Sequence, residues 1–259
     1  MTENLEGLKN APDSLRDDKE FVLQALTKHK SDIQYVSDRL RDDEDVIIKA
    51  LRPRNWELLR YASDRLRDNE DFMEETVNME GQCLRYASDR IKDNDMIVSD
   101  AAKRSHYAIQ YASDRLKDDK EFILDIMEVQ EDVVHYISRR LRDDDEIISE
   151  ATKTSAWNLI YASNRLQDNK DLAIRAVKMC PVYFRYMPDQ VKDNEDVVLE
   201  AVKQDGTALK YASERLKDNR RIVSAAVKHD GHSLEYASKR LKDDRGIVRI
   251  AAMKSSASS

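Results

Sequence analysis

"YASDRLRDNEDF" (residues 61–72), "YASDRIKDNDMI" (86–97) and "YASDRLKDDKEF" (111–122) are one phrase written three times, 25 residues apart. An active site is built once, whereas a phrase returning at fixed spacing is construction. Tyr35, Tyr61, Tyr86, Tyr111, Tyr136, Tyr161, Tyr186, Tyr211 and Tyr236 open nine copies, and every interval is 25 residues except the first, which is 26. The extra residue falls in "RPRNW" (52–56), which predicts a loop around Pro53. "APDSLRDDKEF" (11–21), behind Asn10, is a degenerate tenth copy. The array therefore spans 8–254 as one repeat domain, with a lead-in at 1–7 and a disordered tail at 255–259.

Composition agrees with helical repeats. Of the 259 residues, 41% are apolar and 37% charged, and there are only five Gly and four Pro. That favours helix and leaves few residues for the turns of a β fold. A net charge of −7 argues against bulk attraction to nucleic acid or anionic membranes. Two cysteines, Cys83 and Cys180, without a CxxC, fit neither a disulfide framework nor a zinc site. The start "MTENLEGLKN" lacks a basic-then-apolar leader, and no apolar run reaches the ~20 residues a bilayer requires. The expectation is a soluble, cytoplasmic protein without a membrane segment.

Within the phrase, the Asp closing "RLRD" occurs in every copy: Asp17, Asp42, Asp68, Asp93, Asp118, Asp143, Asp168, Asp193, Asp218 and Asp243. In seven copies another acid follows three residues later, as in Glu20, Asp45 and Asp196. That spacing reads as a capping box, with the ten Asp residues as N-caps. A helix of about eleven residues should follow, since Val197, Val198, Ala201 and Val202 share one face of a 3.6-residue period. Its third apolar position is Ala in eight copies, with Thr76 and Ile126 the exceptions, which allows close helix approach. "GTALKYAS" (206–213) reads as a second, shorter helix that breaks near its Ser, a position held by Pro12 and Pro188 in two copies. "SDRLRD" should then form a tight turn, 3₁₀ in character, that returns its Leu to the core. One such hairpin cannot bury its apolar face alone, so neighbours must stack. The fold class expected is all-α: an α-solenoid, a right-handed superhelix of about ten 25-residue helical hairpins.

The pattern Tyr-Ala-Ser/Pro-x-Arg-Leu-Lys/Arg-Asp-Asp/Asn, seen in "YASERLKDNRRIVSAAVKHDG" (211–231) and "MPDQVKDNEDVVLEAVKQDG" (187–206), resembles a tandem helical repeat family of unknown function. That family occurs in proteins of intracellular bacteria, protists and large viruses. The resemblance covers nearly the whole chain and implies no catalytic residue. Ser14 and Gln190 depart from it where Arg is usual, so packing should differ in those two copies.

The candidate sites follow from the same register. Arg39, Arg65, Arg90, Arg115, Arg140, Arg165, Arg215 and Arg240 would stack beside the Asp row, which favours Arg–Asp pairing over an anion groove. A second basic row (Arg16, Arg41, Arg67, Lys92, Lys117, Arg142, Lys192, Lys217, Lys242), interrupted by Gln167, could follow an RNA backbone. Acidic runs such as "DDED" lack the alternating ligands and central Gly of a calcium loop. The five His share no repeat position, and no nucleophile, base and orienter converge, so neither enzyme nor cofactor nor metal site is expected. What varies between copies is the loop joining the helices: Trp56, His106, Tyr107, Trp157, Tyr183 and His232 are the partner-binding candidates. The function expected is a non-catalytic scaffold for a protein or peptide partner. The alternatives are an RNA-binding repeat protein and a structural subunit of a larger assembly. The last helix, with Ala251, Ala252 and Met253, is expected to be partly exposed or covered by another chain.

Overall fold

The structure, a computed structural model, describes residues 7–52 and 54–255. The expected lead-in, apart from Gly7, the tail beyond Ser255, and Pro53 lie outside the described residues. Among the described residues there are helices and turns and no strand, as an all-α solenoid requires. The chain divides into two compact units, Met1–Ile137 and Ser138–Ser259.

A well-formed repeat has three parts, illustrated by the second unit. The α-helix Glu195–Gln204 is followed by the 3₁₀ helix Gly206–Tyr211 and the four-residue α turn Glu214–Lys217. The apolar stripe expected on the long helix is its core face, because Val197, Val198, Ala201 and Val202 are all buried. The Leu of the "RLRD" phrase also returns to the core: Leu40, Leu66, Leu116, Leu166 and Leu216 are fully buried, whereas Leu15 of the degenerate N-terminal copy is half-buried. Successive long helices pack side by side, 170–179 on 195–204, then 220–229, then 245–255.

Repeats come closest where the small residues sit. A Cβ on Gly206 would stand 2.7 Å from the carbonyl oxygen of Ala226, in the next long helix, and 2.6 Å from Ser233 Oγ. Gly81 faces the carbonyl of Ala101 in the same way in the first unit. The Ala position of the long helix is thus the floor on which the preceding 3₁₀ helix rests.

Two sequence expectations need correction. The segment expected to be a short second α-helix is 3₁₀, and the "SDRLRD" segment expected to be 3₁₀ is α. In the latter, Lys217 N–H donates to Ser213 O at 2.9 Å and Asp218 N–H to Glu214 O at 3.2 Å, both four residues back. Ser213 Oγ caps this turn by accepting from Leu216 N–H at 3.3 Å. Pro12 and Pro188 occupy that N-cap position and make no side-chain cap.

The second correction concerns the N-caps. Asp17, Asp42, Asp68, Asp93, Asp118, Asp168, Asp193, Asp218 and Asp243 do not cap the long helices but end the four-residue turns, and Asp143 ends the 3₁₀ helix Leu141–Asp143. Asp218, at φ −100° and ψ 4°, does not have the extended backbone of an N-cap, whereas Asn219, at φ −85° and ψ 114°, does. The caps are therefore one residue later: Asp18, Asp43, Asn69, Asn94, Asp119, Asp144, Asn169, Asn194, Asn219 and Asp244. The acids read as closing a capping box sit instead in the first helical turn, where the helix dipole favours negative charge.

The rhythm breaks twice in the first unit. The helix Glu44–Leu51 is two residues short, and the extra residue of this copy falls in the turn before Trp56, where Arg54 has φ 62°. The helix Lys120–Met127 is also short, and no 3₁₀ helix forms over 131–136. This is the copy in which Ile126 replaces the small floor residue.

Candidate functional site

The repeated charges form a latch between neighbouring repeats. Ser213 O–H donates to Asp193 Oδ1, Arg215 Nε donates to the same oxygen at 3.1 Å, and Arg215 Nη2 reaches the Asp193 backbone carbonyl at 2.6 Å. Ser213 N–H donates to Lys192 O at 3.0 Å. Ser37 and Arg39 hold Asp17 in the same way, Ser63 and Arg65 hold Asp42, and Ser88 and Arg90 hold Asp68. The pattern continues with Ser113 and Arg115 on Asp93, Ser163 and Arg165 on Asp143, and Ser238 and Arg240 on Asp218. Several of these Arg also reach the first acid of the preceding long helix, as Arg115 does to Asp95 at 2.7 Å. The hydroxyl donated by Ser, then the guanidinium, hold these seven carboxyls below the ordinary carboxylate range.

One junction in the second unit lacks all of this. Pro188 has neither an N–H for Gln167 O nor a hydroxyl for Asp168, and Gln190 replaces the Arg. Asp168 Oδ1 is buried there with no hydrogen-bond partner. The departure at Gln190 thus removes the latch, as the sequence reading expected of this copy.

The second basic row is half-buried except at Lys242, which is exposed. Arg41 Nη2 donates to Gln34 O at 2.5 Å, and Arg16 Nε and Nη2 donate to Leu8 O and Lys9 O at 3.2 and 2.9 Å. Gln167, the interruption in the row, makes the same bonds, to Ile160 O and Ala162 O at 2.9 Å each. These side chains neutralise the C-terminal carbonyls of the 3₁₀ helices. Lys192 and Lys217 are largely covered, and burial lowers the Lys117 ammonium.

The partner candidates have different fates. Tyr183 is 2% exposed and belongs to the core, where desolvation raises its phenol. Trp157 stands over it at 5.4 Å between ring centroids and 5.2 Å from Tyr186, yet remains 41% exposed. Trp56 is half-buried, 6.0 Å from Tyr86, and borders a cavity of about 390 Å³ with Leu51, Met79 and Cys83. Tyr107 is exposed and stacks on half-buried His106 at 4.0 Å. His232 is exposed and bonds Asp230 Oδ1, the cap of its own 3₁₀ helix, at 3.0 Å. On the last helix, Ala251 is buried while Ala252 and Met253 are exposed.

The opening Tyr of the phrase was not among the candidates, although it ends the 3₁₀ helix in eight of the copies and is half-buried or exposed in all nine. Tyr161, Tyr186 and Tyr211 are exposed in three successive repeats of the second unit, beside Trp157, Ile160 and Val182. Arg185 lies over the Tyr186 ring at 4.5 Å and Lys210 over Tyr211 at 5.9 Å. The signal was available. The residues flanking Tyr in each copy, such as Leu209 and Ala212, fill the core, which leaves the ring outside.

Cys83 is buried, and desolvation pushes its thiol up to about 12, so it is not a nucleophile at neutral pH. Among the described residues, no three His, Cys, Asp or Glu are grouped to hold a metal ion, and no helix is long and apolar enough to cross a membrane.

The model of a family described as "Domain of unknown function (DUF4116)" matches at 3–41, 18–67, 43–92, 69–117, 97–133, 119–167, 169–217 and 219–258. The chain belongs to the DUF4116 family. Successive matches overlap or adjoin along the array, and most span two copies of the 25-residue phrase. No curated protein and no solved structure matches it. In most copies of the DUF4116 phrase Ser, Arg and Asp make the latch and Leu fills the core, while Tyr is half-buried or exposed.

Proposed function

We propose that this protein is a non-catalytic scaffold that presents the 3₁₀ layer of its repeats to a protein or peptide. The observation that carries this reading is the exposed aromatic row of the second unit, carried on successive 3₁₀ helices that pack against one another. A preformed surface loses little conformational entropy when a partner docks. Aromatic side chains with one polar edge give large contact area with few rotatable bonds.

An RNA reader would need a free basic row. Here the first row is largely paired with Asp carboxylates, and in the second Arg16 and Arg41 bond 3₁₀ carbonyls while Arg67, Lys192 and Lys217 pair with acids of their own turns, which disfavours that alternative. The scaffold reading is tested by placing a photo-crosslinking phenylalanine analogue at Val182 and irradiating in native lysate. Discrete crosslinked species that disappear in Trp157→Ala support it. An unmodified chain at every partner concentration contradicts it.

A further inference from the structure

The aromatic row has a repeat distance, and that distance selects the conformation of what can lie along it. Tyr161, Tyr186 and Tyr211 each end a 3₁₀ helix, and the three helices, Ala156–Tyr161, Pro181–Tyr186 and Gly206–Tyr211, pack in succession. Packed helical layers are spaced by about 8–10 Å. A ligand that meets one ring per repeat must therefore return the same face every ~9 Å.

Three chain conformations can be compared. An α-helix rises ~9 Å in six residues, but six residues turn it by ~600°, which leaves its side chains about 120° off the row. A β-strand rises ~10 Å in three residues, and the third side chain then points to the opposite face. A polyproline II helix has three residues per turn and rises ~3.1 Å per residue, so every third side chain returns to the same face after ~9.3 Å. It alone keeps register with the rings.

The surface chemistry agrees. Polyproline segments dock on exposed aromatic rings with polar edges, and their ordering cost is small because the conformation is preformed. A cleft of about 170 Å³ lies between two of the 3₁₀ helices, lined by Pro181, Val182, Phe184, Ala208 and Tyr211 among others. It suits one ring of such a segment. Arg185 and Lys210 project over Tyr186 and Tyr211 and favour a carboxylate at the edge of the row.

Resting on the scaffold reading, we propose that the Trp157–Tyr211 face of the second unit binds a proline-rich segment with acidic residues in polyproline II conformation. The full chain is titrated by calorimetry with an acetylated Glu-Pro-Pro dodecapeptide and with Glu-Gly-Ser and Glu-Ala-Ala dodecapeptides of equal charge. Saturable binding of the proline peptide is expected, at least ~10-fold tighter than either control, as the loss of one well-placed aromatic anchor also amounts to. Tyr186→Ala should weaken it by ~10-fold or more, Tyr186→Phe by less, and Tyr61→Ala, in the other unit, not at all. Circular dichroism checks that each variant is folded, and the Phe variant keeps the packing intact.

No binding at millimolar peptide, equal binding of the three peptides, or binding indifferent to Tyr186→Ala would overturn the proposal. If crosslinked partners form at position 182 while the proline peptide neither binds nor displaces them, the scaffold reading stands and this inference falls.

Discussion

Replacing two adjacent residues, Asp168 and Asn169, separates the latch from the cap in a single measurement. Asn169 Oδ1 accepts from Asp171 N–H at 3.0 Å and Leu172 N–H at 3.2 Å, so it satisfies two of the four orphan donors of helix Lys170–Met179. Removing such a cap costs ~0.5–2 kcal/mol, typically about 1. Asp168, one residue earlier, has a buried Oδ1 that accepts nothing, where Pro188 has neither N–H nor hydroxyl and Gln190 stands in place of the Arg. A buried polar atom without a partner is itself destabilising by ~1–3 kcal/mol. Asp168→Ala should therefore leave stability unchanged or raise it, while Asn169→Ala lowers it by about 1 kcal/mol. The assay is urea denaturation followed by circular dichroism at 222 nm, with the slope checked for constancy so that the midpoints are comparable. A drop for Asp168→Ala as large as that for Asn169→Ala would refute the assignment of the caps. As an internal control, Asp193→Ala, which strips the acceptor from Ser213 and Arg215, should destabilise where Asp168→Ala does not.

Installing the missing latch is the converse experiment. Pro188→Ser with Gln190→Arg offers Asp168 a hydroxyl and a guanidinium and offers Gln167 O an amide, and should raise the urea midpoint by the equivalent of ~1–3 kcal/mol at about 1 kcal/mol per new hydrogen bond. Adding a methyl at the closest approach between repeats, Gly206→Ala, should cost ~1–3 kcal/mol, measured the same way, because the neighbour it meets is the backbone carbonyl of Ala226. Stability should also fall on acidification. The folded-state values of the latched Asp carboxyls are depressed, so their contribution is fully present above the unfolded Asp value of ~3.9 and is lost as pH falls through the lower folded values. Urea midpoints that stay level from pH 6 down to pH 3 would contradict this, and variants lacking a latch Arg should show a shallower fall.

The period was legible because it is written in residues whose roles are fixed by burial. Leu216 and Ala226 can be placed on a core face from spacing alone. The cap was misplaced by one residue because "DD" and "DN" offer two adjacent side chains with equal capping chemistry. Only the backbone angles decide between them, and those depend on where the preceding turn ends. The turn in its day is set by Ser Oγ, which accepts from the turn's own Leu N–H and donates to the previous repeat's Asp, a contact 20 residues away. The latch itself was half legible. Arg–Asp pairing was expected, but the pairing runs between repeats, 22 residues apart, so local spacing could not reveal it. The binding candidates differ in exposure for a related reason. Tyr183 and Trp157 are both aromatic residues near the start of a 3₁₀ helix, yet the one-residue difference in position turns one ring into the core and leaves the other over it.

A division of labour follows from these contacts. The recurring residues of the phrase are largely used in holding one repeat to the next: Asp, Ser and Arg in the latch, Arg16 and Arg41 of the second basic row on 3₁₀ carbonyls, Leu and Ala in the core. A chain with 44 basic and 51 acidic residues would look from composition like an electrostatic surface, but its most regular charges already face each other. That leaves the exposed positions of the 3₁₀ layer, such as Trp157, Val182 and Tyr186, free to vary without loosening the stack. The opposite arrangement, with recognition in the latch row, would make every change of specificity a change of stability. The junction at Pro188 fits the same logic. It is the place in the second unit where the latch is absent, and it follows directly on the 3₁₀ helix that carries Val182 and Tyr186, so whatever binds there meets the most loosely tied step of that stack. Binding of the proline peptide should accordingly protect the amides around 181–192 from hydrogen exchange more than those around 206–217, where Asp193 is latched; equal protection at both would show that the missing latch has no bearing on recognition.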